Sequence, residues 1–419
     1  MIKQFLFSLL IFQSMLTSVP NASAAQWIKK ADITQSAIGR GAAQSFVLNN
    51  KMYVLGGYVG FSAGYTPDMM MYDPANDTWT SKTPPAEANR SAGIAFSIGN
   101  KAYVGLGSKN FLSFSPGATL LTDLNEYDAT SNTWTSKASF PDSGRTGSAV
   151  FVLNNKAYVV GGKKGINAIE CKDVWEYNPG SNTWTKKNDL PIGITGAAGF
   201  ATNSFGYIVG GIDESNSVTS STYEYNASAD TWTLKGSFLA PIQSATAFVI
   251  GNYAYCGLGS DKDLGGSNAL FSTSFAKFDL TNKIWSPTTY NFPNPGRLWP
   301  VSGVINGKAY AGAGYKFQSG EFAYKDLYEL NLNPTDIAEV QDQNKWLIYP
   351  NPASKFIHLE YPGKAVKAEL MDLSGRSLQN ITFDHQCTWN LEKYSAGSYI
   401  LRLHTANGTI LRKIEIFHE

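Results

Sequence analysis

The sequence predicts an all-β chain dominated by a β-propeller, and three observations carry that expectation. A phrase recurs with a period of roughly 50 residues, the length of one four-stranded propeller blade. Paired or near-paired glycines mark each copy, at Gly56-Gly57, Gly105/Gly107, Gly161-Gly162, Gly210-Gly211, Gly257/Gly259 and Gly312/Gly314. A tyrosine precedes each pair (Tyr53, Tyr103, Tyr158, Tyr207, Tyr255, Tyr310), and a tryptophan closes five copies (Trp79, Trp134, Trp184, Trp232, Trp285). Composition agrees: of 419 residues only 16% are charged, while Gly and aromatic residues are plentiful. Glycines supply turns and bulges, and aromatics suit half-buried strands.

The chain opens with the marks of a secretory signal peptide over residues 1–24. Lys3 is the positive end, Phe5 to Phe12 the apolar core, and Ala22-Ser23-Ala24 the small-residue cleavage site. That apolar run is too short to span a bilayer, and no transmembrane segment is expected in the mature chain. The first repeat then reads as four strands: Ala43 to Leu48, Lys51 to Gly57, Asp68 to Asp73 and Thr78 to Ser81. Asn and Gly fill the turns between first and second strands (Asn49-Asn50, Gly99-Asn100, Asn154-Asn155, Gly251-Asn252, Asn306-Gly307). Both reach positive φ cheaply, as two-residue hairpins require. The sixth copy (Asp326 to Pro334) has no tryptophan strand after it, while Trp27 lies ahead of the first copy. The N-terminal strand is therefore expected to complete the sixth blade, closing the ring and removing an exposed edge. The propeller should span 25–334, followed by a polar linker at 335–344.

This repeat pattern resembles the kelch family over about three quarters of the chain. The resemblance implies a six-bladed propeller whose Tyr and Trp pack between blades. Residues 345–419 follow another pattern, with Tyr349-Pro-Asn-Pro-Ala-Ser, Ala368-Glu-Leu-Met-Asp-Leu-Ser-Gly-Arg376 and Leu391-Glu-Lys-Tyr-Ser-Ala-Gly-Ser-Tyr399. Alternating apolar residues between Gly turns suggest a small immunoglobulin-like sandwich. The segment resembles the C-terminal sorting domain of the Por, or type IX, secretion system of Bacteroidetes. That resemblance implies passage through the periplasm and across the outer membrane, with the type IX machinery as partner, to a secreted or surface address.

In a blade of this strand order, loops two-three and four-one open on one face. The two-three loops are long and dissimilar: Tyr58 to Pro67, Ser108 to Thr122, Lys163 to Lys172, Ile212 to Ser221, Ser260 to Ser274 and Tyr315 to Lys325. The other face should carry only tight turns. Loops on a rigid scaffold are where function is usually placed, so the long-loop face is the expected binding face. Four copies carry an arginine 13 residues before the tyrosine (Arg40, Arg90, Arg145, Arg297), where the other two have Ile194 and Ile242. Two roles stay open for this set: ringing the channel entrance to grip an acidic ligand, or bonding the backbone of a neighbouring blade. The second feature is aromatic. Tyr65, Phe111, Phe271, Phe317 and above all Trp299 are candidate ligand contacts, against the alternative that such loops bury their own aromatics.

Several chemistries find no residues. A formal charge of +1 gives no basic patch for nucleic acid. Cys171, Cys256 and Cys387 are too few and too scattered for a disulfide framework. All four histidines (His358, His385, His404, His418) lie in the C-terminal module. The propeller so lacks the means for a histidine-ligated metal, the copper chemistry of galactose oxidase, or a Ser-His-Asp triad. No cofactor, metal or catalytic residue is expected. The leading expectation is an exported protein that binds a carbohydrate or a protein ligand. The alternatives are a metal-free sugar mutarotase, as in the exported kelch N-acetylneuraminate epimerases, and a structural surface protein. A mutarotase would pair one of the loop carboxylates Glu170, Asp213, Glu214, Asp261, Asp263 and Glu321 with the arginines.

Overall fold

The computed structural model describes residues 26–33, 39–60, 64–109, 119–165, 170–262, 269–293, 295–317, 321–332, 347–349, 353–360, 366–372, 376–405 and 408–417. The expected signal segment, the linker and Phe111 lie outside the described residues. The chain divides into two compact units, residues 1–332 and 333–419. All regular elements among the described residues are strands, and no helix there is long and apolar enough to cross a membrane.

The first unit is a β-propeller. Among the described residues it holds six four-stranded antiparallel sheets. The first sheet runs Gln44–Leu48, Lys51–Leu55, Met69–Asp73 and Thr78–Lys82 from the centre outward. The first strands of successive sheets stand side by side around the axis. Gln44–Leu48 neighbours Ile94–Ile98, then come Ala149–Leu153, Ala198–Ala201, Thr246–Ile250 and Val301–Ile305, which returns to Gln44–Leu48. Burial follows this layering. Innermost strands alternate, as in Gln44–Leu48, because one side of each faces the axis. Second strands are buried along nearly their whole length, and fourth strands are largely exposed.

The sixth sheet consists of Val301–Ile305, Lys308–Gly312, Leu327–Asn331 and, as its outer strand, Gln26–Lys30. Trp27 sits opposite Leu330 in that pairing and packs its indole 5.2 Å from both Phe275 and Phe292. The two ends of the propeller sequence thus share one sheet.

The glycine pairs explain how one sheet joins the next. The second glycine of each copy donates its N–H to a carbonyl of the following sheet's entry segment. The bonds are Gly57 to Arg90 (2.8 Å), Gly107 to Arg145 (2.9 Å), Gly162 to Ile194 (2.8 Å), Gly211 to Ile242 (2.8 Å), Gly259 to Arg297 (2.7 Å) and Gly314 to Arg40 (2.7 Å). The last of these closes the circle. At Gly161, with φ of 63°, a Cβ would lie 2.3 Å from the Ile194 carbonyl oxygen. A side chain at that place would have to push the two segments apart; the copies with Leu106, Leu258 and Ala313 there keep the same left-handed backbone.

The second unit is a sandwich of two antiparallel sheets. One holds Leu347–Tyr349, Phe356–Glu360 and Gln386–Asn390; the other holds Ser377–Phe383, Val366–Met371, Gly397–Thr405 and Gly408–Ile416. Ile357, Leu359, Leu370, Trp389, Leu401, Leu403 and Ile414 form its buried core.

Truncating the closing strand's anchor tests this closure. Trp27→Ala is expected to destabilise the propeller by about 3 kcal/mol, the low end for a buried Trp or Phe cut to Ala. The shift in denaturant midpoint of the mature chain measures it.

Candidate functional site

The four arginines are among the most buried side chains of the propeller, each 0–1% exposed. Each crosses to the aspartate that begins its own third strand. Arg145 Nη1 donates to Asp173 Oδ1 (2.7 Å) and Nη2 to Oδ2 (2.9 Å), while Nη1 also reaches the Gly161 carbonyl (3.0 Å). Arg40 pairs in the same way with Asp68, Arg90 with Asp123 and Arg297 with Asp326. Their Nη1 atoms likewise donate to the carbonyls of Gly56, Leu106 and Ala313. Aromatic faces complete the enclosure: Arg145 lies over Phe140 (4.7 Å), and Arg297 over Tyr324 (3.9 Å) and Phe292 (4.8 Å). This corrects the expectation that these forks are offered to a ligand at the channel entrance. Their donors already face carboxylates and carbonyls within one blade. At the two sheets with isoleucine, Ile194 and Ile242 fill the place as buried apolar side chains.

Two residues beyond each of these positions, the chain forms the rim of the channel. Here the backbones of successive sheets bond in series: Ala92 N–H to Ala42 O (2.9 Å), Gly147 to Ala92 (3.0 Å), Gly196 to Gly147 (2.8 Å), Ser244 to Gly196 (2.8 Å) and Trp299 to Ser244 (2.9 Å). All six residues are left-handed, with φ between 49° and 67°. Glycine tolerates that conformation and small residues adopt it at modest cost, but for a bulky side chain it is an outlier. Five of the six are Ala, Gly or Ser; the sixth is Trp299.

Trp299 belongs to an aromatic cluster at the seam of the sixth and first sheets. Tyr58 and Tyr315 form its buried floor, with rings 5.4 Å apart. Tyr65 packs on Tyr58 (5.7 Å), Phe317 on Tyr315 (4.4 Å), and Trp299 meets Phe317 edge-on (6.4 Å). The structure therefore brings together Trp299, Tyr65 and Phe317. Phe271 is partly buried outside this cluster, with Lys316 Nζ 5.6 Å from its ring.

The third sheet, across the ring, carries a different surface. Lys163 lies directly after the glycine pair, pairs its backbone with Thr146 at the rim, and holds Glu170 at 2.8 Å. Glu170 is only 6% exposed. Lys164 pairs with Asp142 (2.6 Å), Lys172 with Glu214 (3.1 Å) and, on the second sheet, Lys109 with Glu87 (2.8 Å). The mouth so joins an aromatic wall to a wall of matched charges. Below the rim, the innermost strands line a cavity of about 410 Å³ with small side chains, including Ser45, Ala95, Val150, Gly199, Ala247 and Ser302. Among its lining residues none is titratable.

The left-handed rim and the Lys163–Glu170 pair went unread in the sequence. A usable signal existed for the rim: the residue two beyond each aligned Arg or Ile is small in five copies and Trp in one. Nothing comparable marks Glu170, whose partner depends on how the third loop folds back.

Comparison with known proteins now fits this geometry. The kelch motif model matches residues 39–85, and the model of the secretion system C-terminal sorting domain matches residues 347–416. The chain is a kelch-repeat protein with a type IX sorting domain. That domain indicates export through type IX secretion to the cell surface or the medium. A third model, N-acetylneuraminate epimerase, matches residues 84–230. Among solved structures, that of YjhT aligns with a TM-score of 0.60 at 17% identity, covering 72% of this chain and 98% of its own. At that identity the likeness speaks for the kelch-type propeller fold alone. No curated protein sequence matches this kelch protein.

The arginine clamps set an acid limit. Burial pushes Asp173 up, but the hydrogen bonds from Arg145 and Trp175 outweigh it and hold the carboxyl at about 2, against 3.8 unperturbed. A carboxyl depressed in the folded state stabilises fully above its unfolded value and loses that contribution as pH falls through the folded one. Asp173→Asn should therefore destabilise the propeller near neutrality, and this difference from the parent should shrink between about pH 4 and pH 2. Denaturant unfolding of both chains across that range measures it.

Proposed function

We propose that the exported kelch protein binds a carbohydrate through its long-loop mouth, with Trp299 as the stacking surface. One observation carries this reading: Trp299 occupies a left-handed position at which the other five sheets use Ala, Gly or Ser. The fold does not need an indole there, and backbone strain of this kind concentrates where function holds it in place. Aromatic faces suit the apolar faces of sugars. The matched charge pairs on the opposite wall offer donors and acceptors without net charge, so the favoured ligand is neutral. A protein ligand for the same wall is the second occupant the surface allows.

A second reading has a specific observation behind it, the match of residues 84–230 to the N-acetylneuraminate epimerase model. Here the chain would interconvert anomers of a sugar acid. The geometry is less favourable, because the arginines that would hold the acid are paired with aspartates.

Titration of the mature chain with lactose and with sialyllactose separates these readings. Lactose is expected to bind, and Trp299→Ala to weaken it by at least about tenfold, or 1.4 kcal/mol. The same substitution should change stability by no more than about 1 kcal/mol, since relief of the left-handed strain offsets the packing lost by a half-buried side chain. Tighter binding of sialyllactose, with faster anomer exchange of N-acetylneuraminate by NMR, would replace this reading by the mutarotase. Absence of binding to either sugar would turn attention to a protein partner.

A further inference from the structure

The face opposite the mouth repeats a plain device at four seams, and the fifth sheet departs from it. In the first four sheets, the turn between third and fourth strands places a left-handed Asp or Asn: Asp77, Asn132, Asn182 and Asp230, with φ of 50–55°. Each accepts a hydrogen bond from the tyrosine five residues earlier (Tyr72, Tyr127, Tyr177, Tyr225) at 2.6–2.9 Å. Each also accepts a backbone N–H from the segment leaving the preceding sheet, at Ala31, Thr83, Ala138 and Asn188. This fastener joins neighbouring sheets with one side-chain oxygen.

The fifth sheet departs from it in both partners. The tyrosine is replaced by Phe278, fully buried and without a hydroxyl, and the Asp or Asn by Lys283. Lys283 keeps the left-handed conformation, with φ of 60°, although lysine lacks the short side chain that eases it and cannot accept a hydrogen bond. Its ammonium turns to the fourth sheet. It lies 3.2 Å from Glu224 Oε2, bonds the Tyr207 hydroxyl, and stands 5.3 Å from the centre of the Phe205 ring. Phe205 is a third departure: it stands two residues before Tyr207, where four of the other sheets carry Lys51, Lys101, Lys156 and Lys308. The turn beside it, Asn203-Ser204, is as tight as the others and is closed by the Thr202 N–H bonding the Phe205 carbonyl at 2.9 Å. Beside these residues opens a cavity of about 560 Å³, with Asn252 and Leu280 also in its lining.

We propose that this cavity is a second ligand site, built for a neutral, hydroxyl-rich ligand of one or two sugar units. Its volume lies within the roughly 300–1,000 Å³ usual for small-molecule sites. Its polar side chains are the Thr202 and Ser204 hydroxyls, the Asn203 and Asn252 amides and the Lys283 ammonium, whose charge Glu224 offsets from behind the lining. An anion would find the charge of Lys283 already offset by Glu224; a sugar could use the hydroxyls and amides and rest its apolar side on Phe205. Two of the three departures, Lys283 and Phe205, line one cavity, and the other sheets show that the fold does not require them there. The site is independent of the long-loop mouth.

The regular device supplies the test. Phe278→Tyr with Lys283→Asn rebuilds the fastener of the first four sheets and removes the ammonium. Glu224 keeps Lys235 (3.1 Å) and Tyr207 as partners, so no buried carboxylate is left alone. The double variant is expected to unfold at the same temperature as the parent or higher. Calorimetric titration with maltose, cellobiose, lactose and chitobiose is run on the full mature chain carrying Trp299→Ala, which silences the mouth. At least one sugar should still bind, and adding the double substitution should weaken it at least tenfold. Residual binding unchanged by the double substitution would overturn the proposal, as would no residual binding to any of the four. Failure of the mouth reading shows separately, as parent binding that ignores Trp299→Ala.

Discussion

Everything in the propeller depends on the hydrogen bond from the second glycine of one sheet to the entry segment of the next. It is made at all six seams, including Gly314 to Arg40, where the end of the repeat array meets its start. The bond fixes how closely sheets approach, which excludes any side chain at the glycines. It also fixes where each inner strand begins. Arginine clamps hold four of these six segments from inside, binding each to its own third strand through a carboxylate. Two positions beyond these pinned segments the chain curls over the channel in the left-handed conformation at all six sheets, the two without a clamp included. The rim is thus a consequence of the seams.

That dependence makes departures interpretable. A regular repeat shows, six times over, what the fold needs at each position. A tryptophan at a place where the others are Ala, Gly or Ser costs the fold strain, and its indole stays half-buried at the edge of the Tyr58–Tyr315 cluster. A lysine in a column of Asp and Asn gives up a fastener to reach across a seam. Both lie beside space that a ligand can enter, on opposite faces of the ring.

Much of the architecture was legible in the sequence because it rests on local, repeated chemistry. Asn-Asn turns, glycine pairs and the displaced Trp27 each name their own place in a sheet. The arginine set was legible in position but open in role. Each partner aspartate follows 28 to 33 residues later, at a distance that varies with loop length, so spacing alone could not pair them. The aromatic loops were legible only as a list. Which of them meet depends on the folded loops: Tyr65 and Phe317 join Trp299 through the Tyr58–Tyr315 floor, while Phe271 stands under Lys316. Glu170 was legible only as one loop carboxylate among six, because its partner Lys163 is set by how the loop folds back.

The most direct test of this account is a crystal structure of the mature chain soaked with a neutral sugar that binds it. The account predicts a sugar ring stacked on the Trp299 indole at the long-loop mouth, with the four arginine–aspartate clamps undisturbed. A ligand held by any of those arginines, with its aspartate displaced and Trp299 uncovered, would contradict it.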